Sequence, residues 1–445
     1  MASVAEMSET RDFRIDLEWD SAPDVVTPEL RATWADLSLW CGGRCVTAVE
    51  DSEGTYRRSV HTSAYPLAEW IAFNWWFLRD ELRPSALPVV LWKWSNTLAY
   101  EWLRRHNTRG AGNGMPWPDL TLVAEGYLTR AVWHSGSGLA GQPIGFLSNG
   151  DVYLQSEQFL GELTRFVDHV IDRLREAKVD DTPLAKEWQA LRETDDEEAA
   201  FASAAARLGL DPYSMSTKAQ EDLVAISDAI DSPLMDEFLD SADPENLSSA
   251  FNWLGLARNR AASFAAEAIE TPSEGLGRLR ETPHVRAEDK PWERGYSAAR
   301  EVRRMLGAEA TQRLDMDRLV TEVRLAGRSG GLEGFTQIDS ANRAILVLPA
   351  GRRLQTAVRF AQARSLGLLL SSGRREHLLD PVSTDLTKES RAFAAELLAP
   401  AAGVAEYLSS LRTVTDAAFD AVAARFKTST LVIRHQYENQ VVQPA

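Results

Sequence analysis

Cysteine is almost absent. Only Cys41 and Cys45 occur in 445 residues, in the segment CGGRC. A fold stapled by disulfides is excluded. The spacing is neither C-x-x-C nor part of a larger ligand cluster, so it does not suggest a zinc site; it reads as two reduced thiols beside a hairpin. Basic residues are in deficit, with 48 Lys and Arg against 65 Asp and Glu and a formal net charge of −17. That balance argues against broad binding to a phosphate backbone, which needs clustered Lys and Arg, and leaves room only for a small basic patch. No run approaches the roughly 18 apolar residues of a membrane span. The N-terminus, MASVAEMSETRD, has no basic segment and no apolar core, so it does not read as a signal peptide. No G-x-S-x-G nucleophile elbow is present. The glycines between Asn107 and Gly114 lack the strand-to-helix framing and the Lys-Ser/Thr of a phosphate loop.

What is present is enough chain for two or three domains, with ordinary globular composition. Residues 1–12 read as a tail. Residues 13–19 alternate apolar and charged, the pattern of a half-buried strand. Further strands are expected over 34–40, 44–49 and 56–62, with turns at Gly42-Gly43 and at 51–54, making a small antiparallel meander. The segment 66–78 reads as one aromatic helix with proline in its first turn, followed by a helix over 87–105. Strands are expected over 121–133 and 144–154. A long amphipathic helix then opens at Ser156, with Phe159, Leu163, Phe166, Val170 and Leu174 on one face. Eleven of the fourteen tryptophans precede residue 134. This predicts a Trp-rich core in which Phe73 and Trp75 are buried; a ligand- or base-stacking pocket is the functional alternative. Residues 181–283 carry no strand signal. Asp211-Pro212, Ser232-Pro233 and Asp243-Pro244 separate short helices, a helical connector or, as the alternative, a repressor-like DNA-binding fold.

The richest stretch is Val358 to Pro400, VRFAQARSLGLLLSSGRREHLLDPVSTDLTKESRAFAAELLAP. Phe360, Ala363, Leu366, Gly367 and Leu370 recur at helical spacing, and Gly373 is a natural stop. Phe393, Ala394, Leu397 and Leu398 form a second stripe, ended by Pro400. Two helices joined by a polar hairpin make an αα unit.

This stretch resembles the ImmA/IrrE family of zinc metallopeptidases. Arg359, Phe360, Ala363, Leu366 and Gly367 keep the frame of that family's R-F-x-x-A-H-E-L-G-H helix. Phe393, Ala394, Ala395, Leu397, Leu398 and Pro400 keep the frame of its second helix. The resemblance covers about the last 150 residues. It takes in a leading helix from Pro291, a hairpin over 334–338 and 344–348, and a helix-turn-helix over 419–439. In the family's motif two histidines one turn apart bind zinc and the intervening Glu acts as general base. The matching positions here are Arg364, Ser365 and Leu368. An arginine has no lone pair for a metal. The resemblance places the third ligand at Glu389, and an Arg364–Glu389 ion pair, with Glu396 as second choice, is expected to fill the vacated position. Glu376, His377 and Asp380 are the nearby candidates for a replacement site.

The fold class expected is α+β and multidomain: a Trp-rich α+β domain over 1–180, a helical middle domain over 181–283, and a zincin-like pseudo-peptidase domain over 284–445. The resemblance implies a catalytically inactive regulatory or phage-defence protein of the bacterial cytoplasm. It would use no cofactor or metal and bind a protein or peptide partner, with nucleic acid the less favoured partner and no membrane. Two alternatives stand beside it. One is a hydrolase or nuclease in the N-terminal domain using His106, Asp119, Glu125 and His134. The other is a DNA-binding transcriptional regulator.

Overall fold

The computed structural model describes residues 13–22, 24–50, 54–82, 97–137, 144–267, 290–382, 384–409, 411 and 413–442. The tail before residue 13, most of the turn at 51–54, the first part of the helix expected over 87–105 and the linker at 282–289 lie outside the described residues. The chain is mixed α and β and divides into two compact units, Met1–Met215 and Ser216–Ala445.

In the first unit, β1 (Phe13–Trp19) pairs antiparallel with β2 (Trp34–Cys41), after a short α1 (Pro28–Ala32). Alternate residues of β2, Ala35, Leu37, Leu39 and Cys41, turn into the core, as period-two alternation requires. The return strand expected over 44–49 is two pieces in different sheets: β3 (Arg44–Cys45) continues from β2, and β4 (Val49–Glu50) pairs with β5 (Tyr56–Arg57). β6 (Val60–Ser63) returns to β2. The aromatic stretch is also two helices, α2 (Tyr65–Phe73) and α3 (Trp75–Asp80). Asn74 sits between them, and its side-chain amide donates to Trp70 O at 2.8 Å. After α4 (Thr97–His106), the stretch expected as one strand over 121–133 is a hairpin of β7 (Asp119–Glu125) and β8 (Leu128–His134). The turn needs Gly126, whose φ of 75° favours glycine. β9 (Gly136–Ser137) and β10 (Gly145–Phe146) join the β4 sheet, and β11 (Gly150–Gln155) joins β8. α5 (Ser156–Glu176) buries the expected apolar face, and α6 (Pro183–Glu193) and α7 (Asp196–Arg207) complete the unit.

The tryptophan expectation needs one correction. Trp70, Trp102, Trp117 and Trp133 are buried, but Trp75 is only half-buried and Phe73 is 52% exposed. The helix break at Asn74 re-phases the apolar face around those two residues.

The second unit starts with α8 (Thr217–Ala229), α9 (Ser232–Ser241) and α10 (Leu247–Glu267). The division between the two units falls inside the stretch 181–283 expected as a middle domain. Trp188 and Leu191 pack on the first unit's core, whereas Gly330, at φ 54°, approaches α10 so closely that a Cβ would lie 2.5 Å from Ala250 N. α11 (Pro291–Met305) follows the linker. β12 (Val320–Leu325), β13 (Phe335–Ile338), β14 (Ala344–Pro349) and β15 (Glu376–Leu378) form a sheet in the order β12-β14-β13-β15, with only β12 and β14 parallel. α12 (Gln355–Ser371) crosses it and is followed after β15 by α13 (Asp385–Leu398), capped by Thr384. α14 (Ala401–Ser409), α15 (Asp416–Phe426) and α16 (Thr430–Gln436) close the chain. The αα unit read from the sequence is α12 and α13. They meet at Gly367, where a Cβ would lie 2.8 Å from the Phe393 ring.

Candidate functional site

α12 is buried almost all round, polar residues included: Arg359, Gln362, Arg364 and Ser365 all lie inside. A polar group taken from water needs partners, and each of these finds some. Arg364 Nη2 donates to Asp380 O at 2.9 Å, and its Nη1 lies 3.8 Å from Glu333 Oε2. Burial pushes the Arg364 guanidinium down, against the nearby charge of Asp380. Burial likewise pushes the Asp380 carboxyl well above the usual range; Asp240 and Glu237 push the same way and Arg364 opposes. Ser365 shares a hydrogen bond with Thr336 Oγ1, and Leu368, 1% exposed, is a core residue. These residues do not fit a zinc ion: one is a fixed cation, one a packed alkyl group. Among the described residues, no group of three or more His, Cys, Asp or Glu could hold a metal ion.

The expected pairing of Arg364 with Glu389 or Glu396 does not form. Both carboxylates, on α13, are held instead by arginines of α11. Arg294 Nε lies 2.9 Å from Glu389 Oε2, and Arg300 Nε lies 2.9 Å from Glu396 Oε1. Glu396 also accepts from Gln436 at 2.6 Å, Gln440 at 3.0 Å and Ala401 N at 3.2 Å. The reason is the closeness of α11 to α13. A Cβ at Gly295 would fall 2.2 Å from Glu389 O, so Arg294 and Arg300 of α11 reach the carboxylates directly.

His377 stands in a different constellation. Its Nδ1 is 2.7 Å from Glu237 Oε1 and its Nε2 is 2.5 Å from Ser372 Oγ. Leu378 N donates to Glu237 Oε2 at 2.7 Å and Arg374 Nη1 to Oε1 at 2.9 Å. The order hydroxyl, imidazole, carboxylate is that of an activated nucleophile. Yet Ser372 Oγ is also 3.0 Å from Leu368 O and accepts from Arg374 N at 3.1 Å, and His377 is fully buried. The arrangement fastens α9 to the edge strand β15. Glu376 points elsewhere, to Arg258 at 3.2 Å from Nε. Sequence reading missed Glu237, Ser372 and Arg294, because no local period links them to the motif.

In the first unit, His106 Nδ1 lies 2.9 Å from Leu122 O, and Nε2 lies 2.9 Å from Glu81 Oε2. The Leu122 carbonyl can only accept, so Nδ1 is the nitrogen that donates to it. Arg105 Nε also donates to Glu81 at 2.7 Å, and Trp102 stacks on the imidazole at 4.3 Å. Burial alone would raise the Glu81 carboxyl; the hydrogen bonds and charges of His106 and Arg105 outweigh it and hold it low. Asp119 accepts from Asn107 Nδ2 at 2.8 Å, with Arg109 Nη1 at 3.2 Å. Glu125 is buried, and His134 faces Asp119 across the hairpin. His106 and Asp119 are thus neighbours through Asn107, but His106 is sealed from solvent.

No protein-family model matches the chain, and no curated protein does. Among the described residues, no helix is long and apolar enough to cross a membrane.

Proposed function

We propose that the protein is a catalytically inactive ImmA/IrrE-like regulatory or phage-defence-associated protein whose C-terminal region is a binding platform for a protein or peptide partner. One observation carries the reading. The three positions matched to the zinc motif are filled by an internally bonded Arg364, a Thr336-bonded Ser365 and a core Leu368, and the matched third position, Glu389, is taken by Arg294. The helical frame of a metallopeptidase is kept while every ligand position serves packing. A frame retained without its chemistry is suited to binding. One edge of the sheet, β15, gives its Leu378 N–H to Glu237, which leaves β12 as the edge where an extended partner segment would add. The hydrolase or nuclease alternative in the first unit is disfavoured by the burial of His106.

The test has two parts. Purified protein is incubated with zinc, dialysed and analysed for metal, and it is assayed against an unfolded protein substrate with and without a chelator. Stoichiometric zinc, or chelator-sensitive cleavage, overturns the reading. Affinity capture from the native cell, followed by reconstitution with the purified partner, is expected to give a stable complex.

A further inference from the structure

Between α11, α12, α13 and α16 lies a cleft of about 850 Å³, a size typical of small-molecule sites. Trp292, Tyr296 and Phe360 give it an aromatic wall. Lys388, Arg391 and His435 are its ionisable basic lining, and no Asp or Glu lines it. In a chain of net charge −17, a cleft with basic lining and no acidic residue is out of keeping with the average surface. Of the buried carboxylates on α13, Glu396 influences Tyr296 but is already engaged by Arg300, Gln436 and Gln440, and Glu389 is engaged by Arg294.

From this we propose that the cleft binds a planar aromatic anion. Its ring lies against Trp292, Tyr296 and Phe360, and its negative group lies toward Lys388, Arg391 and His435. The aromatic wall supplies contact area and stacking. Arg391 is anchored by one bond, from Nη2 to Pro381 O at 2.6 Å. A guanidinium has five N–H donors, so its fork is pre-oriented with donors to spare for a carboxylate or phosphate. Lys290 Nζ, 5.5 Å from the Trp292 ring, is offset by Glu293 Oε1 at 3.8 Å, and Lys388 Nζ by Asp385 Oδ1 at 3.9 Å, so Arg391 is the principal cation of the cleft. Leu431, 61% exposed on α16, is an apolar residue of the lining left open to solvent. The proposal does not rest on the pseudo-peptidase reading: Phe360 belongs to the first motif's frame, but none of the positions matched to metal ligands or base, Arg364, Ser365, Leu368 and Glu389, lines the cleft.

The probe is 8-anilinonaphthalene-1-sulfonate, an aromatic anion with a planar naphthalene ring, titrated into the full chain. One-to-one binding is expected, weakened at least about tenfold by Ala395→Trp, which fills the cleft, and by His435→Glu, which introduces a negative charge at an exposed position. Should Ala395→Trp fail to fold, His435→Glu still decides. Competition with indole-3-acetate and adenosine 5′-monophosphate separates a carboxylate ligand from a phosphate ligand, and displacement by either supports the site. Unchanged affinity in the folded variants, equally tight binding of uncharged N-phenyl-1-naphthylamine, or displacement by neither competitor overturns it.

Discussion

Glu389 is held by Arg294 and not by Arg364: the carboxylate that the resemblance matches to a metal-ligand position lies 2.9 Å from an arginine of α11. The two side chains are 8% and 21% exposed, so the pair is largely withdrawn from solvent and its energy is not that of a surface ion pair. A double-mutant cycle of Arg294→Met and Glu389→Gln is expected to show a coupling of about 0.5–3 kcal/mol in urea unfolding. The cycle of Arg364→Met with Glu389→Gln is expected to be additive within about 0.5 kcal/mol. Additivity in the first cycle, or strong coupling in the second, contradicts the assignment.

The same geometry bears on reconstruction of the zinc motif. Leu368 is 1% exposed in the core shared by α12 and α13. Leu368→His removes apolar contacts and buries a polar ring, so it is expected to cost about 2–5 kcal/mol. The triple change Arg364→His, Ser365→Glu, Leu368→His is expected to melt well below the parent protein without zinc, with zinc raising the midpoint if the helical frame is that of a zincin. Calorimetric scans with and without zinc measure this; a triple variant as stable as the parent shows that Leu368 is not core.

Glu81 gives an acid-side prediction. Its ordinary value of 4.5 is lowered in the folded protein. A depressed carboxyl contributes stability above its unfolded value, and that contribution is lost as pH falls through the folded value. Glu81→Gln is expected to cost about 3–5 kcal/mol at neutral pH, because it leaves the Arg105 guanidinium without its counter-charge. The gap between the two proteins should close below about pH 4.5. Denaturant unfolding from pH 7 to pH 3 measures it, and a gap independent of pH rules out the charged network.

Much of the local structure was legible because it is periodic. The alternation of β1 and β2 and the paired stripes of α12 and α13 identified those elements. Gly126 between two apolar strands was a readable hairpin signal; the apolar content on both sides made the stretch read as one strand. What could not be read were the partners. Glu237 lies 140 residues before His377, and Arg294 lies 95 residues before Glu389. No repeat or spacing connects them; they are brought together by α9 on β15 and by α11 on α13. Likewise, the stripe of α12 showed which face is apolar, but not that the opposite face, with Arg364 and Gln362, is also enclosed.

Asp380 gives the opposite pH dependence from Glu81. It is buried beside Arg364, with Asp240 and Glu237 adding negative charge, and its carboxyl is held well above the ordinary value of 3.8. A carboxyl raised on folding binds its proton longer in the native state than in the unfolded chain. Its contribution is therefore full below the unfolded value and is lost as pH rises through the folded value. Asn in its place is neutral throughout and keeps an oxygen for Val382 N, which now donates to Asp380 Oδ1 at 3.1 Å. Asp380→Asn should thus match the parent protein near pH 4 and become the more stable of the two as pH rises toward neutrality. The opposing influence is Arg364, whose charge favours the carboxylate. If attraction to Arg364 outweighs burial and the two acidic neighbours, the order reverses and Asp380→Asn is less stable at pH 7. Urea unfolding of the two proteins at pH 4 and pH 7 distinguishes these outcomes by the sign of the difference alone.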